Sequence, residues 1–126
     1  MNILLIEPDH ILGQTYFTFL NRRGHETIIA STAKSAISAL ENTAIDIIVV
    51  ELQIAEHNGI ELLHEIRSYS EWQDVPVIVN SFIPVEIIGI GAKVLKEFHI
   101  VDYLYKPITS LSDLAIVIES LEPVST

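Results

Sequence analysis

The sequence predicts an α/β fold in which a parallel five-stranded sheet is covered by helices on both faces. Uninterrupted apolar runs at residues 3–6 and 47–50 are typical of strands that are buried on both faces of a sheet. The stretches between such runs carry apolar residues at spacings of three and four, which is the pattern of amphipathic helices. Strands that alternate with helices predict a parallel sheet, because each right-handed crossover must cover one face.

In the first half of the chain, three strands alternate with two helices. Asp9 is placed to cap the first helix and Gly24 to end it, while Ser31 or Thr32 caps the second helix. The predicted strands span residues 2–6, 27–30 and 46–51, and the predicted helices span residues 10–23 and 33–42. The first helix is expected to bury Ile11, Leu12, Tyr16, Phe19 and Leu20.

In the second half, three helices alternate with two strands. The predicted elements are a helix at 59–69, a strand at 77–79, a helix from Pro84 past Leu95, a strand at 100–104 and a helix at 110–121. Gly89 and Gly91 each cost about 1 kcal/mol relative to alanine, so the helix that contains them should be the least stable. We expect one domain over residues 1–121 and a short tail at residues 122–126.

Length and composition exclude several classes of protein. A chain of 126 residues fits one domain with a real core. The net charge of −10 and only seven Lys and Arg residues argue against binding to nucleic acid. The absence of cysteine excludes thiolate metal sites and disulfides. No apolar run reaches membrane-spanning length, so we expect no membrane partner and a cytoplasmic location.

Polar side chains occur where several predicted strands end. Glu7 and Asp9 follow the first strand, Glu51 ends the third, Ser81 follows the fourth and Lys106 follows the fifth. The carboxyl ends of parallel strands lie on one edge of the sheet, where ligands of open α/β folds collect. We therefore expect these five side chains to converge, although they are far apart in sequence.

This order of residues resembles the receiver domain of two-component response regulators, and the resemblance covers essentially the whole chain. The segments that carry it are residues 3–9, 46–59, 76–81 and 102–107. The resemblance implies a flavodoxin-like (βα)5 fold, doubly wound around a parallel five-stranded sheet with strand order 2-1-3-4-5. It also implies a role in signalling through contacts with other proteins.

The resemblance assigns roles to four residues. Glu51 falls at the phosphoacceptor position, Ser81 and Lys106 fall at the positions that contact the phosphoryl oxygens, and Tyr103 falls at the aromatic position that switches with activation. The family has an aspartate where this chain has Glu51, and the longer side chain misplaces the carboxylate for in-line phosphoryl transfer. We therefore expect no normal phosphorylation here.

A second departure affects the metal. Two acids after the first strand hold Mg²⁺ in the family, but here Pro8 occupies the second position and supplies no ligand atom. Mg²⁺ requires near-octahedral oxygen coordination, so we expect no cofactor and at most weak Mg²⁺ binding. The available oxygen ligands are those of Glu7, Glu51 and Gln53, because Asp9 is better suited to capping the first helix.

Lys106 and His99 have roles that do not require a phosphoryl group. Lys106 lies opposite Glu7, Asp9 and Glu51, and its charge offsets their mutual repulsion, so we expect direct contact between Lys106 and Glu51. His99 falls where the family has a glycine before the fifth strand. A left-handed backbone is tolerated better by histidine than by a β-branched residue.

Three functions compete. The first is an atypical receiver without enzymatic activity, which binds other proteins while Glu51 partly mimics the phosphorylated state. The second is a working Mg²⁺-dependent receiver that takes a phosphoryl group from a histidine kinase. The third, a nucleotide-binding domain, is set aside because no glycine-rich phosphate loop follows any strand.

The predicted partner surface lies on the fourth helix, the fifth strand and the fifth helix. The partner is a histidine kinase, an output protein or a second copy of the chain, and a homodimer is the simplest case. These helices carry more apolar residues than one buried stripe needs, namely Val85, Ile87, Ile88, Ile90, Val94, Leu95, Ile116 and Val117. The alternative is that both helices are simply buried more deeply than average.

Overall fold

The predicted sheet and its strand order are confirmed. The computed structural model describes residues 1–54, 57–89 and 91–122. Its sheet is parallel throughout and has the order β2-β1-β3-β4-β5. The strands are β1 (Asn2–Ile6), β2 (Glu26–Ala30), β3 (Ile47–Val50), β4 (Val77–Ser81) and β5 (Ile100–Tyr105). A short antiparallel ribbon pairs Gln53–Ile54 with His57–Asn58.

The helices cover both faces of the sheet. The described residues form α1 (His10–Arg22), α2 (Ala33–Asn42), α3 (Gly59–Arg67), α4 (Val85–Ile88), α5 (Ala92–Glu97) and α6 (Leu111–Glu119). Buried residues of α1 and α6 belong to the core on one face, and those of α2 and α3 belong to the core on the other. The architecture is therefore the doubly wound arrangement that the sequence predicts.

Side chains of the central strands alternate between the two cores. In β1, Leu4 and Ile6 pack on the α2 and α3 side, while Ile3 and Leu5 pack on the α1 and α6 side. All four are fully or almost fully buried. This double burial explains why the strand is an uninterrupted apolar run rather than an alternation of apolar and polar residues.

The predicted helix caps are confirmed, and they locate the helix starts. The Asp9 carboxylate accepts a hydrogen bond of 2.9 Å from the backbone N–H of Leu12. Thr32, rather than Ser31, caps α2, and it forms a reciprocal capping box with Ser35. Each cap satisfies backbone donors that the first turn of a helix leaves without partners.

The prediction of one long fourth helix is wrong. α4 ends at Gly89, which adopts a left-handed conformation with φ of 73°, and α5 begins at Ala92. A left-handed glycine terminates a helix because it turns the chain away from the helical path. The predicted apolar residue Ile90 lies outside the described residues.

The predicted burial of Ile11 is also wrong, since 77% of its surface is exposed. The buried face of α1 contains Tyr16 and Leu20, which are four residues apart. The residue four before Tyr16 is Leu12, so Ile11 projects to one side of this stripe. Leu12 is half-buried, as the pattern requires.

His99 adopts the left-handed backbone that its position suggests, with φ of 56°. Its backbone N–H donates to Lys96 O at 3.0 Å, and its carbonyl accepts from the N–H of Val77 at 3.0 Å. The residue therefore connects the end of α5 to the start of β4. A histidine occupies this position at a higher conformational cost than a glycine.

Arg67, at the end of α3, connects three segments. Its guanidinium donates hydrogen bonds to the carbonyls of Phe98 at 2.9 and 2.6 Å, Trp72 at 2.6 Å and Val75 at 2.6 Å. Burial lowers the pKa of Arg67, although the nearby Asp74 carboxylate opposes this shift. The guanidinium thus holds α3 against the chain that leads into β4 and β5.

Candidate functional site

Four of the predicted site residues meet at the carboxyl edge of the sheet. Glu7 follows β1, Glu51 follows β3, Ser81 ends β4 and Lys106 follows β5. All four are buried, with exposed fractions of 3%, 3%, 0% and 8% in that order. Strand ends of a parallel sheet bring these positions together irrespective of their separation in sequence.

The Lys106 ammonium lies at the centre of this cluster. Its Nζ is 2.6 Å from Glu7 Oε1 and 2.8 Å from Glu51 Oε1, and it lies 4.7 Å from the ring centroid of Phe82. An ammonium has three protons to donate, and an aromatic face attracts a cation. Lys106 therefore pairs with two carboxylates while an aromatic face lies against it. The expected contact between Lys106 and Glu51 is confirmed.

Further hydrogen bonds hold the Glu51 carboxylate in place. The Ser81 hydroxyl donates to Oε2, and the backbone N–H of Gln53 donates to the same oxygen at 3.2 Å. The backbone N–H of Phe82 donates to Oε1 at 3.2 Å. Both oxygens of Glu51 are thus engaged by donors from the protein itself.

These contacts keep both Lys106 and Glu51 in their charged forms at neutral pH. Burial alone would lower the pKa of Lys106, but its hydrogen bonds to Glu51 and Glu7 outweigh burial and raise this pKa. Burial alone would raise the pKa of Glu51, but the hydrogen bonds from Lys106 and Ser81 outweigh it and lower the pKa. The cluster is a buried ion pair in which each partner stabilises the charged form of the other.

Two predicted members of the pocket lie outside this buried cluster. Asp9 is exposed, its carboxylate caps α1, and its backbone N–H donates to Glu7 Oε2 at 3.1 Å. Gln53 is also exposed and contributes its backbone N–H to Glu51. The capping role predicted for Asp9 is therefore confirmed.

The site does not fit the Mg²⁺ ion that the family resemblance implies. The Lys106 ammonium bridges the two carboxylates that would be the main ligands, and Pro8 adds no ligand atom. A hard divalent cation must gain oxygen ligands in near-octahedral geometry to offset its dehydration. Within residues 1–54, 57–89 and 91–122, no group of three or more His, Asp or Glu residues is arranged to hold a metal ion.

Gly59 allows the loop after Glu51 to return close to β3. The N–H of Gly59 donates to Leu52 O at 2.7 Å, and a Cβ atom added at Gly59 would lie 2.7 Å from Leu52 Cα. No other residue fits this approach without displacing the backbone.

Tyr103 is linked to Glu51 through the chain that follows β4. The Ser81 hydroxyl, which donates to Glu51, accepts from the N–H of Ile83 at 3.0 Å. The carbonyl of Ile83 accepts from the Tyr103 hydroxyl at 2.6 Å. Burial, together with the negative charge of Glu51, raises the pKa of Tyr103.

The sequence analysis missed one contributor to the site, Phe82, and the burial of Asn80 in β4. Phe82 covers the Lys106 ammonium, and its position directly after Ser81 at the end of β4 could have identified it. Asn80 is 3% exposed, and its Oδ1 atom has no hydrogen-bond partner among the described residues. The pattern of β4 does not distinguish this buried amide from a strand residue in contact with water.

The family model for the response regulator receiver domain matches residues 3–119. The chain belongs to the response regulator receiver family. The resemblance based on the strand-end residues is therefore confirmed at the level of the family.

Individual relatives of this receiver domain agree with the family model. The transcriptional regulatory protein MalR of Bacillus subtilis is 31% identical over 121 residues, which cover 90% of this chain and 49% of MalR. The alginate biosynthesis transcriptional regulatory protein AlgB of Pseudomonas aeruginosa is 30% identical over 83% of this chain and 22% of AlgB. The receiver thus spans about half or less of these curated relatives.

Solved structures show the same fold. A two-component response regulator from Clostridium difficile has a TM-score of 0.82 at 22% identity and covers 96% of this chain and 94% of its own. The receiver domain of Francisella response regulator 1452 has a TM-score of 0.80 at 27% identity, covering 95% and 94%. In the described part of the receiver, no helix has the length and apolarity needed to cross a membrane.

Proposed function

We propose that this receiver is an atypical one, which works as a protein-interaction module without normal phosphorylation of its acceptor position. The observation that carries the proposal is the position of Lys106. Its ammonium is bound by Glu7 and Glu51 and faces the ring of Phe82, so two carboxylates already compete with a phosphoryl oxygen for its protons.

The Glu51 carboxylate also engages the partners that the family uses for a phosphoryl group. Ser81 and Lys106, at the two phosphate-contact positions, both donate to Glu51. The hydrogen bonds through Ile83 extend this arrangement to Tyr103. A carboxylate has one negative charge and a phosphoryl group has nearly two, so Glu51 imitates the modified state only in part.

Incubation with acetyl phosphate and Mg²⁺, followed by intact-mass measurement, tests this proposal. We expect the wild type to gain no phosphoryl group. The matched control is the double variant Glu51→Asp with Pro8→Asp, which restores the two acids that the family has at these positions and should gain one phosphoryl group. A Mg²⁺-dependent gain of one phosphoryl group on Glu51 of the wild type would instead support the working-receiver alternative.

The wild type and the double variant should also differ in their affinity for Mg²⁺. In an NMR titration at constant ionic strength, the wild type should bind with a dissociation constant of roughly millimolar or weaker, because Pro8 supplies no ligand atom while Lys106 bridges the two carboxylates. The double variant should bind more tightly. Saturable micromolar binding by the wild type would contradict this account of the pocket.

We also propose that the partner surface lies on α4, β5 and α6, with a homodimer as the simplest case. Large apolar side chains are exposed there, namely Ile87 at 74%, Val101 at 41% and Ile116 at 62%. Sedimentation should show association that Ile87→Glu with Ile116→Glu abolishes, while Ile11→Glu on α1 leaves it intact. If the wild type is monomeric at every concentration tested, a dimer across this face is excluded.

A further inference from the structure

A groove between α2 and α3 lies away from the strand-end site and has no role in the proposed function. It has a volume of about 690 Å³. Along α2 its lining follows one helical stripe, with Lys34, Ile37, Ser38 and Glu41, and the opposite side is formed by α3. Because Lys34 and Glu41 are seven residues apart on α2, this stripe is about 11 Å long, the length of about two helical turns.

A second groove continues the first beyond the end of α2. It has a volume of about 400 Å³ and shares Glu41 with the first groove. Its lining includes the apolar residues Ile45, Trp72 and Val75. Together the two grooves form one surface with apolar residues at its base, which extends from α2 and α3 towards the amino edge of the sheet.

The charge around these grooves is predominantly negative. The exposed side chains of Glu41, Glu61, Glu65 and Glu71 line them, whereas Lys34 is the one basic residue in their described lining. Among the described residues, the carboxylates of Glu41 and Glu65 form no ion pair and accept no side-chain hydrogen bond. These two charges on either side of the apolar residues are therefore available to a partner.

We propose that the α2–α3 groove binds a basic amphipathic helix of another protein. A helix of about three turns spans the α2 stripe and reaches the second groove, and its apolar face covers the half-buried Ile37 and Ile45. Lys or Arg residues beside that apolar face pair with Glu41 and Glu65, one on each wall. The groove thus distinguishes between partner helices by their charge and by the position of their basic residues. This selection does not depend on whether Glu51 is phosphorylated.

A labelled synthetic peptide of about 14 residues, with leucine on one helical face and lysine elsewhere, is the probe. We expect micromolar binding by fluorescence polarisation, and a scrambled peptide of the same composition should bind about tenfold more weakly. Glu41→Lys with Glu65→Lys should weaken binding of the patterned peptide about tenfold or more. Ser38→Phe, which fills the groove from an exposed position without changing charge, should have a similar effect.

The matched control is Glu26→Lys with Glu97→Lys, which makes the same change of net charge at two exposed positions outside the groove. Its affinity for the patterned peptide should stay within about twofold of the wild type. If this control loses as much affinity as the groove variant, or if the scrambled peptide binds as well, the attraction is general and the proposal is wrong. Absence of binding to the wild type also overturns it.

Discussion

Replacing Lys106 by methionine should lower the free energy of unfolding by about 3–5 kcal/mol at neutral pH, which is the usual cost of removing one partner from a buried ion pair. Methionine keeps most of the apolar stem, so the loss reports the ammonium rather than a cavity. Without this cation, Glu7 and Glu51 face each other as buried charges with exposed fractions of 3% each. Urea unfolding followed by circular dichroism measures the effect.

The pH dependence of this loss identifies its cause. The lowered pKa of Glu51 means that its pairing stabilises the fold above the ordinary value of 4.5, and this contribution is lost as the pH falls below it. The raised pKa of Lys106 means that its contribution is present below the ordinary value of 10.5 and is lost as the pH rises through the value in the fold. The difference in stability should therefore be largest between these limits.

A compensating variant provides the control. Combining Lys106→Met with Glu51→Gln removes one of the two facing charges and should recover part of the lost stability. If Lys106→Met unfolds at the same urea concentration as the wild type at neutral pH, the ion pair contributes little. The description of the pocket as a stabilising buried ion pair would then be wrong, and the proposed function would lose the observation on which it rests.

Replacing Arg67 by methionine should lower the free energy of unfolding by about 2–4 kcal/mol, since each buried carbonyl left without a donor costs about 1–3 kcal/mol. The carbonyls of Trp72, Val75 and Phe98 all lose a hydrogen-bond donor in this variant. The side chain of Arg67 is half-buried, so water replaces part of the loss and the sum of three full penalties is not reached. Thermal unfolding and urea unfolding measure this difference.

Two variants separate the geometry of the guanidinium from its charge. Arg67→Lys keeps the charge but cannot reach three separate carbonyls, so it should lose most of the stability that Arg67→Met loses. Arg22→Met removes an exposed arginine at the end of α1 and should change the free energy of unfolding by less than about 0.5 kcal/mol. A stable Arg67→Lys variant would show that charge alone holds these segments.

The sequence was sufficient for the sheet and for the central ion pair because both depend on simple geometry. Apolar runs mark strands that are buried on two faces, and the ends of parallel strands converge, so Glu7, Glu51, Ser81 and Lys106 had to meet. The contacts of Arg67 could not be predicted in this way. They depend on where α3 ends relative to two other segments, which no local spacing of residues encodes.

The errors in the sequence analysis also have local physical causes. Ile11 matches the apolar spacing of α1 but lies one position before Leu12, which is on the buried stripe. Apolar periodicity locates the buried face of a helix with an uncertainty of about one residue. Gly89 was identified as costly for a helix. Its actual effect is larger, because in the left-handed conformation it ends α4 after four residues.

The two short helices that replace the expected fourth helix should be less stable than the sheet beside them. α4 and α5 have four and six residues, no side chain caps either start, and neither contains a buried residue. The central strands, by contrast, are buried on both faces, so we expect the amide hydrogens of α4 and α5 to exchange with solvent at a much lower energetic cost than theirs. We therefore expect α4 and α5 to open locally while the sheet stays folded.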